Sequence, residues 1–195
     1  EKLELAECQL GRIQRTIREL VDFSRPASTA RSRVKASEVV EEALGIAKYY
    51  QRTKDRAITV DVPADLSPVR GVRDHLTQVV LNLVLNAIDA TERGGRIHLE
   101  AREVDGTIVL SIEDDGRGIA LEDKSRLFQA YFTTKPSGTG LGLFVSRQIV
   151  EEMGGRLTFQ SEPGRGATFL IQLPSDRPEL PPTLARAALA EGVAG

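Results

Sequence analysis

Residues 107–119, TIVLSIEDDGRGI, run an alternating strand straight into a glycine turn. Side chains alternate along a strand, so Ile108, Leu110, Ile112 and Asp114 share one face. That row ends in a carboxylate among core residues, and burying it is costly unless donors meet it. Asp115 points to the other face. Gly116 and Gly118 follow at once, where a missing Cβ lets the backbone turn sharply or approach a ligand closely. Alone, this is a strand end and a hairpin turn. Its neighbours along the chain give the buried acid a role.

The frame is ordinary. With 195 residues, 41% of them hydrophobic, the chain suits one globular domain with an appendage. A net charge of −2 with scattered Lys and Arg gives no reason to expect nucleic acid. Cys8 is the sole cysteine, which excludes an intramolecular disulfide and makes a reducing compartment the default. Cys8, His75 and His98 lie too far apart in sequence for a zinc site to be expected. No apolar run approaches the ~20 residues that cross a bilayer, so no membrane contact is expected from this segment. It reads as a cytoplasmic piece of a longer protein that can carry a membrane anchor upstream.

Residues 1–26 carry a heptad pattern, with Leu3, Leu10 and Ile17 at one position and Ala6, Ile13 and Leu20 at the other. Such a narrow stripe predicts a coiled-coil or bundle helix that needs a partner. Pro26 stops it, and 27–33 reads as a linker. Residues 34–174 then turn α+β. A helix is expected from a Ser37 cap to Tyr50, strands at 57–62 and 69–72, and a strongly apolar helix at 73–90. A strand at 96–103 pairs with the one from Thr107 through an Asp105-Gly106 turn. After an irregular stretch from 118 to 138 come a helix at 139–153 and strands at 157–161 and 167–173. The layout predicts a two-layer α/β sandwich, a mixed sheet covered on one face by three helices, preceded by the bundle helix. Residues 175–195 read as a loosely held tail.

Two constellations carry chemistry. In the apolar helix, Gln78, Asn82 and Asn86 are four apart and share a face. A polar row inside a mostly apolar helix must find partners or line a cavity. An amide oxygen there is also a hard ligand suited to Mg2+, which takes few protein ligands and completes its shell from phosphates. The second constellation, GTGLGL at 138–143, opens the last helix, where glycine N–H groups and the helix dipole favour an anion. It is neither a Walker A loop nor a dinucleotide fingerprint, since no Lys-Ser/Thr follows and no strand leads in. The loop before it has a length typical of a lid. Within that loop lie Phe128, Tyr131, Phe132, Thr133, Thr134 and Lys135, the last placed to reach a phosphate or to sit solvated.

Taken in order, NLVLNAIDA (82–90), DDGRGI (114–119), LFQAYFTTK (127–135), GTGLGL (138–143) and GRGATF (164–169) resemble the ATP-binding domain of sensor histidine kinases, in the GHKL ATPase superfamily. They match its N box, first glycine box, F box, second glycine box and final glycine motif. The resemblance implies ATP held between helices and sheet under a mobile lid. It implies that Asp114 accepts the adenine amino group, that Gly116 and Gly118 give the adenine room, and that Asn86 binds Mg2+ with Asn82 and Asp89 nearby. Asn82, Asn86 and Lys135 would serve catalysis. Ala90, Ile119, Phe132, Thr133, Gly138, Thr139, Gly140, Leu141, Gly142 and Leu143 would complete the nucleotide site, with Thr168 near Asp114 at its base. LVDFSRP (20–26) is similar to the end of the second dimerisation helix, which implies a homodimer. The partner implied is a response regulator receiver domain, and LVDFSRP together with FTTK resembles the group whose regulators are often of the enhancer-binding kind.

The chain departs from the pattern in three places. Ala130-Tyr131 stands where the F box usually has Pro-Phe, and Asp89 stands where a basic residue often follows the N-box asparagine. Neither His75 nor His98 has the context of the phosphoacceptor, which would lie upstream of Glu1. The segment is therefore expected to bind ATP without phosphorylating itself. Two other readings stay open: a GHKL machine that hydrolyses ATP, and a non-catalytic interaction module on the same fold. Against the first, Asn82 occupies the place where hydrolytic relatives carry a Glu to activate water.

Overall fold

The computed structural model describes residues 30–176, apart from 51, 52, 54 and 137. The heptad helix, the lone cysteine and the tail after 176 lie outside the described residues. Eleven elements follow in order: β1 (Ser32–Val34), α1 (Ala36–Ala47), β2 (Ala57–Asp61), β3 (Val69–Gly71), α2 (Arg73–Ala90), β4 (Arg96–Val104), β5 (Thr107–Asp114), a 3-10 turn (Leu121–Asp123), α3 (Gly142–Glu152), β6 (Arg156–Ser161) and β7 (Ala167–Pro174).

The main sheet has five strands in the order β2-β4-β5-β7-β6. Only β2 runs parallel to its neighbour, so the sheet is mixed as expected. The β4–β5 hairpin turns through Asp105 (φ 49) and Gly106 (φ 72). Two successive left-handed residues match the strand twist, which is why an Asp-Gly pair serves there. On the inward face, Ile97, Leu99, Ile112 and Ile171 are almost wholly buried, and they meet Val79, Val80, Leu83 and Val84 of α2. The α2 helix is apolar on most sides because it packs on both the sheet and α1. Leu83 is 0% exposed. Truncating it to Ala is expected to cost about 2–5 kcal/mol through lost burial and a cavity. The urea midpoint of unfolding reads that loss.

Several boundaries differ from the sequence reading, each for a local reason. Ser32 and Arg33 belong to a strand rather than a linker, since β1 pairs antiparallel with β3 in a small second sheet. The α1 N-cap is Lys35, in extended conformation and without a side-chain bond, so Ser37 lies inside the first turn instead of capping it. The helix stops at Ala47, short of Tyr50, where the Thr53 hydroxyl donates to the Ala47 carbonyl at 2.7 Å. The α3 helix begins at Gly142 rather than Thr139, because Gly140 holds φ +71, which no right-handed helix accommodates. Ser175 and Asp176 stay with the domain, their N–H groups donating to the carbonyls of Gly106 and Pro68. No helix among the described residues is long and apolar enough to cross a membrane.

Candidate functional site

The end of β5 delivers the acid where alternation placed it. Ile108, Leu110, Ile112 and Asp114 are all buried, and Asp114 is 4% exposed. Its Oδ1 accepts the Gly116 N–H at 2.9 Å. Burial raises its pKa above the ordinary carboxylate value. Backbone N–H donors from Gly116 and Ala167 oppose that rise, and the charges of Asp115 and Glu113 add to it. A desolvated acceptor held on rigid strand backbone is suited to reading a hydrogen-bond donor on a flat ligand. Asp115 plays a structural part on the exposed side, where it accepts the Arg96 N–H at 2.8 Å and the Arg96 Nε at 3.2 Å.

The glycines around Asp114 are required by backbone approach. A Cβ on Gly116 would run into the Ala90 carbonyl at the end of α2. Gly118 has φ +68, and a side chain there would strike the Glu162 carbonyl. At both positions the chain's own backbone comes too close for a side chain. Ile119 is held by its N–H, which donates to Ser161 Oγ at 2.9 Å, and that hydroxyl donates to the Gly166 carbonyl at 2.7 Å. These contacts knit β5, β6 and β7 into a rigid rim at Asp114.

Thr168 is a correction. The β5–β7 register sets Ala167 opposite Asp114 and Thr168 opposite Glu113. Partners directly opposite share a face, so Thr168 points away from Asp114 and onto the outer side of the sheet. Ala167 is the residue beside the acid. Parity alone gives this, because Phe169 is a core residue and Ala167 shares its face.

The polar row on α2 divides its labour. Asn82 Nδ2 donates to Ser146 Oγ at 2.9 Å, and Ser146 is 2% exposed, so this amide clamps α2 to α3. A Cβ on Gly142 would stand 2.5 Å from Asn82 Oδ1, which explains a glycine at the first residue of α3. One turn on, Asn86 faces the loop that precedes α3. The Lys135 ammonium donates to Asn86 Oδ1 at 2.7 Å and to Asp89 Oδ2 at 3.0 Å. Three residues singled out from sequence thereby converge from segments more than forty residues apart.

The loop before α3 has a strained base. Tyr131 takes φ 66, a left-handed value rare for a bulky residue, and its N–H donates to the Gly140 carbonyl at 3.0 Å. Phe132 is half-buried beneath the Arg126 guanidinium, 4.5 Å from the ring centre. Thr133 Oγ1 accepts the Lys135 N–H at 3.1 Å, and Gly138 N–H donates to the Lys135 carbonyl at 3.1 Å. Thr139 Oγ1 accepts the Leu141 N–H at 3.4 Å just before α3 starts. Leu141, Gly142 and Leu143 are half-buried there. The Asn82–Ser146 clamp and the Arg126–Phe132 stack were not foreseen, since each depends on packing between distant segments. A groove of about 640 Å³ lies elsewhere, between Phe128, α3 and β6, and includes none of these residues. Among the described residues, no group of three or more His, Cys, Asp or Glu gathers to hold a metal.

A family model described as histidine kinase-, DNA gyrase B-, and HSP90-like ATPase matches residues 71–177. The sensor histidine kinase ZraS of Salmonella typhimurium is 36% identical over 179 residues, which cover 89% of this chain and 38% of that protein. The chain therefore spans well under half the length of this relative. The solved structure of the mycobacterial sensor histidine kinase MprB matches with a TM-score of 0.66 at 29% identity, covering 75% of this chain and 98% of that one. Full-length ShkA, solved in complex with AMPPNP, matches with a TM-score of 0.69 at 26% identity, over 83% of this chain and 36% of that one.

Proposed function

Because the chain belongs to the histidine kinase-, DNA gyrase B- and HSP90-like ATPases, and is the ATP-binding domain of the sensor histidine kinase kind, we propose that it positions Mg-ATP for phosphoryl transfer to a histidine on an upstream helix. The observation that carries this reading is the pairing of a core-facing acceptor, Asp114, with a pair of oxygens on α2 that already holds a cation. The ammonium lodged between Asn86 Oδ1 and Asp89 Oδ2 supports the reading, since an oxygen pair that takes one positive charge has the chemistry a metal ion needs.

In this reading Asp114 accepts the adenine amino group, with Ala90, Gly116, Gly118 and Ile119 shaping the rim. Asn86 is the metal ligand, with Asp89 beside it. Gly138, Thr139, Gly140, Leu141, Gly142 and Leu143 line the phosphate side, and Phe132, Thr133 and Lys135 close the lid. Thr168 has no part, given the face it occupies. Bound Mg2+ would neutralise phosphate charge, which is most of what phosphoryl transfer asks of a protein besides positioning. In the transfer, an imidazole nitrogen forms a bond to the γ-phosphorus while the bond to the β–γ bridging oxygen breaks and ADP leaves. The phosphoryl group then passes to an aspartate of a response regulator. Asn82 enters as the clamp that sets α3 against α2, and it supplies no base for water, which disfavours the hydrolytic reading. The heptads of residues 3–24 would mediate homodimer contacts on the cytoplasmic side.

The test mixes this chain with a separate polypeptide carrying the upstream helix, using γ-labelled ATP with and without Mg2+. Acid-labile, base-stable phosphate is expected on the helix polypeptide only when this chain and Mg2+ are both present. None is expected on this chain alone. Calorimetry showing no ATP binding by the folded chain would overturn the reading, as would label on the chain itself.

A further inference from the structure

Lys135 is engaged more specifically than a loop lysine needs to be. Its side chain is 31% exposed, and its ammonium bridges an amide oxygen and a carboxylate oxygen on consecutive turns of α2. The rest of the lid supports that posture. Lys135 is bonded through its own backbone on both sides, its N–H to Thr133 Oγ1 and its carbonyl to the Gly138 N–H. The lid base is joined at Tyr131 and Gly140. The loop is thus fastened at two points, a backbone pair at its root and one charged side chain at its tip.

We propose that Lys135 is a surrogate cation: with no nucleotide bound it fills the Asn86–Asp89 oxygen pair, latches the lid over the site, and is displaced when metal-nucleotide enters. The displacement half rests on the reading above that Asn86 is the metal ligand. Asn86 Oδ1 has two lone pairs, but a divalent ion bound there at about 2.0–2.1 Å would stand roughly 4 Å from an ammonium that is 2.7 Å from the same oxygen. Two cations so close repel, and the side chain on the flexible stem leaves. Asp89 is the positioning residue. It adds the charge that holds the ammonium against α2. The lid thereby senses metal-nucleotide through exchange of one cation for another, and the released Lys135 becomes available to phosphate.

Hydrogen exchange on the nucleotide-free chain tests the latch directly. Lys135→Met keeps the stem and removes the charge, and Asp89→Asn removes the carboxylate. Both are expected to speed exchange of amides 131–141 by about tenfold, the loss of one charge-assisted hydrogen bond. Amides of β5 and α2 should be unchanged, and Lys135→Arg should restore the slow rates. Unchanged lid exchange in both variants would overturn the latch. The displacement is read by the gain in ADP affinity that Mg2+ gives. That gain is expected to be about tenfold larger in Lys135→Met, where nothing competes for Asn86. An equal or smaller gain would overturn the competition. Absence of ADP binding by the wild type would sink the nucleotide reading and the displacement with it, while the exchange result still decides the latch.

Discussion

Asp114→Asn is expected to lower ATP affinity by about ten- to hundredfold, the range of one charge-assisted hydrogen bond, while leaving the fold as stable or more so. The two effects share one cause. In the folded chain burial raises the Asp114 pKa, so its ionised form is disfavoured relative to the unfolded state. A raised folded pKa contributes stability that is fully present below the unfolded value and is lost as pH rises through the folded value. At neutral pH that contribution is gone and the desolvated charge remains as a penalty. The amide removes the penalty. It also turns one acceptor into a donor, which opposes the adenine amino group. The same sign applies to the pH dependence of binding. ATP affinity should fall on acidification at a higher pH than an ordinary carboxylate would give, and the fall should vanish in Asp114→Asn. Calorimetry across pH and a thermal melt read both halves. A variant that binds ATP as well as wild type would remove Asp114 from the adenine site.

Asp114 was legible because a strand has period two, and four residues of clean alternation fix which side an acid takes. The bounds of α2 were legible too, since 73–90 is apolar on nearly every side and bracketed by glycines. Thr168 is placed near Asp114 by the resemblance alone, and strand parity opposes it, since one step along a strand crosses the sheet. Ser32 escaped notice because a three-residue strand has too little alternation to see, and its partner β3 lies far along the chain. The early start expected for α3 came from reading glycines as exposed helix N–H groups, when a left-handed Gly140 cannot join a helix. What the sequence could not disclose is pairing across long separations. That Asn82 would take Ser146, and that Lys135 would settle on Asn86 and Asp89, depends on how α3 and the lid dock on α2.

Gly140→Ala separates the lid from the core. Gly140 holds φ +71, where an L side chain costs about 1–2 kcal/mol. An added Cβ would stand 2.6 Å from the Phe132 nitrogen and 2.8 Å from its carbonyl carbon, too close for backbone to remain where it is. The pairing of Tyr131 with the Gly140 carbonyl must then open, and Lys135 loses the root that carries it to Asn86. Because none of the described residues from 131 to 140 belongs to the buried cluster, that strain can relax by moving the lid. Affinity for ATP is expected to fall about tenfold or more, while the melting temperature drops by only a few degrees. Gly166→Ala is the contrast. It has φ +85, and its Cβ would meet the backbone of Asp114 and Asp115 inside the β5–β7 pair. There the strain has no loop into which to relax, so both stability and affinity should suffer. Equal loss of melting temperature in the two variants would show that the lid is part of the folding core, and the latch would then be no independent device.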